Sequence, residues 1–168
     1  NPIDERPGRS AWDAQKSSAN TMDLRGKILR IQPLPDGSYI CPAGNLFTDK
    51  DVHVVNPTPG LSPKGERGRE GLEEGSTSPL PFSGGAGSGV EGVGRPEIYV
   101  MGCRNPFRLS IDSRRRLLFW GEVGPDSGEP DSTRGPAGHD EVNRAGKAGF
   151  FGWPYFVGNN KPYREYDF

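Results

Sequence analysis

Between Gly102 and Pro154 the sequence groups the residues best suited to chemistry. Arg104-Asn105-Pro106 sets a planar fork of donors beside a side chain that both donates and accepts. At a strand end next to Gly102, that pair could hold an anionic, carbonyl-rich ligand. It could equally pair Arg104 with a local acid and turn the chain at Asn-Pro. Glu122-Val123-Gly124-Pro125-Asp126, with Glu129, Asp131 and Asp140-Glu141 beyond, offers carboxylates and backbone carbonyls. Hard cations such as calcium take these together. Proline has no N–H, so a Gly-Pro turn leaves carbonyls exposed. The spacing is not that of a helix-loop-helix calcium loop, and a hydrated acidic loop is the competing reading.

The chain has two histidines, His53 and His139. His139 adjoins Asp140, which could orient it as a base; a surface histidine is the simpler alternative. No Ser/His/Asp set, zinc-ligand spacing or phosphate loop occurs, and Gly84–Gly89 lacks the Lys-Ser/Thr that a phosphate loop requires. Cys41 and Cys103 match no metal or redox pattern and read as two unpaired thiols rather than a disulfide.

The elements that would position these groups are short and β-rich. Ile98–Met101, Leu109–Ile111 and Leu117–Trp120 are apolar runs closed by Gly, Pro or Asp/Ser, and read as consecutive antiparallel strands. Asp112-Ser113-Arg114 joins the last two as a tight turn, with Arg114-Arg115-Arg116 a solvated face. Upstream, Gly26–Pro33 reads as one strand closed by proline. Pro35-Asp36-Gly37 is a turn, and Ser38-Tyr39-Ile40 returns as the second arm of a hairpin. Residues 1–25 read as an ordered loop anchored by Trp12, with at most a turn or two of helix behind Ser10.

From Pro57 to Gly94 the composition changes, with 11 Gly and 5 Pro in 38 residues and charges interleaved as Lys64-Gly-Glu-Arg-Gly-Arg-Glu70. Such a stretch cannot bury enough apolar surface to offset its ordering entropy, and reads as a disordered insertion over 48–94. Asp51–Val55 is its one candidate strand. The division is therefore 1–47, a loop and hairpin; 48–94, the insertion; and 95–168, a blade-like unit. Gly and Pro make up a quarter of the 168 residues, 25 and 17 respectively, against about 12% in ordinary proteins. With 32% hydrophobic residues, little material remains for a closed core. A net charge of -1 gives no footing for nucleic acid, and no apolar run reaches the ~18 residues of a membrane helix. The start at Asn1 and the aromatic tail of Tyr155, Phe156, Tyr163, Tyr166 and Phe168 suggest a piece of a longer chain.

Taken together and in order, Gly26-Lys-Ile-Leu-Arg-Ile31, Arg104-Asn105-Pro106, Gly124-Pro125, Asp140-Glu141-Val-Asn143 and Gly152-Trp153-Pro154 resemble the soluble pyrroloquinoline-quinone (PQQ) dependent glucose/sorbosone dehydrogenases. The resemblance covers about residues 20–47 and 95–168. It implies an all-β fold in which this chain supplies one or two antiparallel blades of a six-bladed β-propeller. It also implies a sugar substrate, PQQ and calcium as cofactors, the remaining blades as partner, and a periplasmic or secreted location. The positions of Arg104, Asn105 and Asp140 would contact PQQ, and the carbonyls at Gly124 and Pro125 would bind the calcium that docks it. No catalytic residue is implied within the chain. The family's catalytic histidine lies upstream of the matching region, so neither His53 nor His139 inherits its role. The Lys and Arg residues that complete the PQQ pocket fall beyond Phe168. Val123 stands where glucose-oxidising relatives carry Gln, and Phe151 where Tyr is usual.

Two other readings fit the same residues. One is a non-catalytic propeller module that binds a protein or glycan, since one fold hosts many functions. The other is a degenerate, inactive family member. Blades rely on neighbours to cover faces and edges, so a chain of this kind is expected to expose apolar sheet surface.

Overall fold

A computed structural model describes residues 2–54 and 93–164. The bulk of the proposed insertion, residues 55–92, and the tail residues Tyr166 and Phe168 lie outside the described residues. The described residues are all-β, with eleven short strands and no α-helix among them.

The chain enters through two 3₁₀ turns, Ser10–Trp12 and Ala14–Lys16. Asp13 rather than Ser10 caps the second, accepting from the Gln15 N–H at 3.0 Å. Trp12 is not the anchor: it is 55% exposed and lies under the Arg9 guanidinium, while Ile3 and Asp4 are buried in its place.

The stretch Gly26–Pro33 is not one strand. It breaks at Arg30-Ile31 into β1 (Lys27–Leu29) and β2 (Gln32–Pro33), which belong to different sheets. β2 forms the expected hairpin with β3 (Tyr39–Cys41) across the Asp36-Gly37 turn, and β3 pairs in turn with β4 (Val52–Val54). β1 instead pairs with β5 (Ile98–Met101), setting Ile28 opposite Val100, and β5 pairs on its other side, in parallel, with β9 (Gly149–Phe150). β5 is therefore not the first of three consecutive antiparallel strands. The antiparallel sheet is β6 (Pro106–Asp112), β7 (Leu117–Glu122) and β8 (Glu141–Ala145). The predicted turn holds: Asp112 accepts from the Arg115 N–H at 3.0 Å, and Arg116 takes a positive φ of 57° to close it. A hairpin of β10 (Phe156–Val157) and β11 (Lys161–Pro162) completes the set.

The core lies between the β1-β5-β9 sheet and the inner face of β7. Val100, Cys103, Trp120 and Ala145 are buried together, with Ile28, Tyr99, Leu118 and Phe151 packed around them. Trp120 meets Phe151 edge to face at 4.8 Å. Part of the aromatic tail is covered from within: Tyr163 stands edge-on to Trp153 at 5.7 Å, and the Tyr155 hydroxyl donates to Gln15. Apolar sheet surface is exposed, as expected, at Phe107, Leu109, Ile111 and Val142.

Chain segments on either side of residues 49–93 meet. The Leu46 N–H donates to the Ile98 carbonyl at 2.8 Å, while the Asn45 amide and Thr48 hydroxyl both donate to the Pro96 carbonyl.

Candidate functional site

β5 ends where Gly102, at φ 76°, turns the backbone; a Cβ there would strike the Phe150 ring. The turn is pinned on both sides, since Gly102 donates to the Ser18 carbonyl and accepts from the Trp153 N–H. Cys103 is buried behind it. Arg104 and Asn105 then present successive backbone N–H groups, and both donate to one oxygen of Glu122, at 2.6 and 2.5 Å. The other oxygen of Glu122 accepts from the Trp120 indole at 3.1 Å.

Burial pushes the Glu122 carboxyl above its ordinary range, and the N–H groups of Asn105, Trp120 and Arg104 pull it back only in part. Burial also raises the Cys103 thiol, with the neighbouring Glu122 charge acting in the same direction. Cys41 and Cys103 are both free and buried, so the disulfide alternative fails and the thiols are inert by position.

Glu122, one of the carboxylates that the sequence offers to a cation, is instead an internal anchor. Its strand carried a signal. Leu118, Trp120 and Glu122 alternate on one face of β7, so Glu122 follows Trp120 inward.

A shallow concavity brings Arg104, Gly124 and Pro125 together with Glu122, His139 and Trp153. The Arg104 guanidinium donates to the Val123 carbonyl at 3.0 Å and lies 6.0 Å from the Trp153 ring centre. Asn105 is exposed at the rim and does not line the concavity. Asp140 is exposed too, and one of its oxygens accepts from the Gly124 N–H at 2.9 Å, so it braces the Gly-Pro turn. It does not orient His139, whose Nε2 lies 3.0 Å from the Lys161 ammonium. His53 lies elsewhere, 3.4 Å from the Ser38 hydroxyl.

The Gly-Pro turn is shaped by close backbone contact. Gly124 sits against the His139 backbone, and Gly138 sits against the Pro125 carbonyl, each without room for a Cβ. That carbonyl also accepts from the Ser127 N–H at 2.9 Å. Calcium asks for six to eight oxygens. Among the described residues no group of three or more acidic, histidine or cysteine side chains is placed to hold a metal. The Gly124 and Pro125 carbonyls supply too few oxygens to compose a calcium site by themselves. A planar polyanion fares better, since an arginine fork beside an aromatic face suits carboxylate and ring together.

In comparison with known proteins, the chain matches no family model, no curated protein and no solved structure. No helix among the described residues is long and apolar enough to cross a membrane.

Proposed function

We propose that the chain is part of a PQQ-dependent sugar dehydrogenase of the soluble glucose/sorbosone type, contributing one or two propeller blades and one wall of the cofactor pocket. The observation that carries this reading is convergence. Arg104, the Gly124-Pro125 turn and Trp153, taken from motifs up to 50 residues apart, line one concavity. The contact between Thr48 and Pro96 supports reading the intervening stretch as an insertion into an otherwise continuous blade.

PQQ, when bound, supplies the quinone carbon that accepts hydride. The roles left to this chain are binding and orientation. Arg104 offers the remaining donors of its guanidinium to a carboxylate, with the Trp153 ring centre 6.0 Å away, while Asn105 and Asp140 flank the rim. The base for the sugar hydroxyl belongs to the parent polypeptide rather than to His53 or His139. Calcium, if it docks the cofactor, would draw most of its oxygens from outside the described residues.

Phe151, which lines the concavity where the resemblance leads one to expect a Tyr hydroxyl, favours the second reading, a non-catalytic module that uses the same concavity for a protein or glycan. Calorimetric titration of the whole chain with PQQ, with and without calcium, separates the two. Saturable binding that Arg104→Ala abolishes supports the cofactor wall. Absence of binding under both conditions removes it and leaves the binding module.

A further inference from the structure

We propose that the free edge of β6 is a self-association surface, on which the β6 of a second copy of this chain adds antiparallel about a twofold axis at Ser110. β6 is the terminal strand of its sheet, and among the described residues none pairs with its outer edge. It is seven residues long, and Phe107, Leu109 and Ile111 are 65%, 56% and 73% exposed. A long, apolar, unpaired edge is a template for another strand, because its outward N–H and C=O groups have no other ladder to join. Leu109 and Ile111 lie opposite Trp120 and Leu118, on the face that covers the core. Arg108, Ser110 and Asp112 alternate onto the other face.

Charge selects the occupant and the register. About an axis at Ser110, Arg108 faces Asp112 of the second copy, and Leu109 faces Ile111 of the second copy. Each pair occurs twice. An axis at Ile111 would set Arg108 against Arg114 of the second copy, and an axis at Leu109 leaves both charges without opposite partners. Parallel in-register pairing would face Arg108 with itself. The antiparallel Ser110 register alone matches opposite charges and apolar side chains together, and opposite charges across strands stabilise where like charges repel. Asp112 already holds Arg115 at 2.9 Å, but a carboxylate has acceptor capacity for a second arginine. An isologous contact of this kind closes as a dimer. It stands independently of whether PQQ binds.

Sedimentation velocity on the full chain over a concentration series reads the dimer. Arg108→Glu and Asp112→Lys are each expected to weaken dimerisation roughly tenfold or more, since each sets two like-charge pairs across the axis. An equimolar mixture of the two variants is expected to restore the dimer, because mixing re-creates two opposite-charge pairs. Should Asp112→Lys disturb the turn, Ser110→Cys gives a second readout. Residues at the axis lie within disulfide reach, about 4.5–5.5 Å between Cα atoms, and the native thiols are buried. Oxidation should cross-link Ser110→Cys but not Ser113→Cys. A chain that stays monomeric, a mixture that fails to restore the dimer while both variants fold, equal cross-linking of the two cysteine variants, or polymers indifferent to both reversals would each overturn the proposal.

Discussion

Replacing Glu122 by Gln keeps shape and removes charge, which makes it a direct test of the site's internal anchor. The native carboxylate accepts three N–H groups on two oxygens: Arg104 and Asn105 on one, Trp120 on the other. An amide has a single oxygen. Left on the two backbone donors, it turns its own NH₂ toward the Trp120 N–H and strands one buried donor, at about 1–3 kcal/mol. Relief of the buried charge offsets part of this at neutral pH. The sign with pH follows from the raised carboxyl of Glu122. The folded chain holds this proton more tightly than the unfolded chain, so stability from the group is complete below the ordinary value of 4.5 and is lost as pH rises through the higher, folded value. A protonated carboxyl also keeps two acceptor oxygens, which the amide lacks. The wild-type advantage over Glu122→Gln should therefore be largest in acid and shrink toward neutrality. Urea unfolding followed by tryptophan emission, from about pH 4 to about pH 7, measures it. An advantage that grows with pH, or a variant as stable as wild type throughout, would refute the assignment of Glu122 as a desolvated anchor.

Two further outcomes are expected. Gly138→Ala pushes a methyl into the Pro125 carbonyl and should lose about 1–3 kcal/mol in urea unfolding, whereas Gly128→Ala, with open space around it, should be near neutral. Lys27 is buried, and its ammonium donates to the carbonyls of Ser17, Ser18 and Arg25. Burial lowers its pKa from 10.5 to about 8, so its contribution is complete above 10.5 and is lost as pH falls through that window to about 8. Wild-type stability should accordingly climb from about 8 to the ordinary thiol value of 9.0, above which the burial-raised thiols of Cys103 and Cys41 oppose the trend, and Lys27→Met should flatten the climb. Tyr39, pushed up to about 12 chiefly by burial, opposes the trend only above its ordinary value of 10.0.

What was legible in the sequence was local. The Asp112 turn, the β2–β3 hairpin and the apolar run of β5 follow from neighbouring residues, and all three are present. The partners of β5 were not legible, because Lys27 and Met101 are joined across 74 positions and nothing near either one specifies the other. The break at Arg30-Ile31 has the same origin: Arg30 donates its own N–H to the Glu97 carbonyl and its guanidinium to Asn45, contacts outside the strand's own pattern. At the site, Arg104 and Gly124-Pro125 were named from residue type, and the concavity does bring them together. Asn105 and Asp140 sit at its margin instead. The buried placement of Glu122 and Lys27 was not legible because charged residues are expected in water, and only the alternation on β7 pointed the first of them inward. The glycines read as turn formers; the reason for Gly124 and Gly138, a backbone passing where a side chain would stand, belongs to tertiary packing.

The meeting of Thr48 and Pro96 ties together two positions that stand 48 residues apart in the sequence. Hydrogen bonds from Asn45, Leu46 and Thr48, and not the covalent chain alone, therefore hold the described segments before residue 55 and after residue 92 against each other.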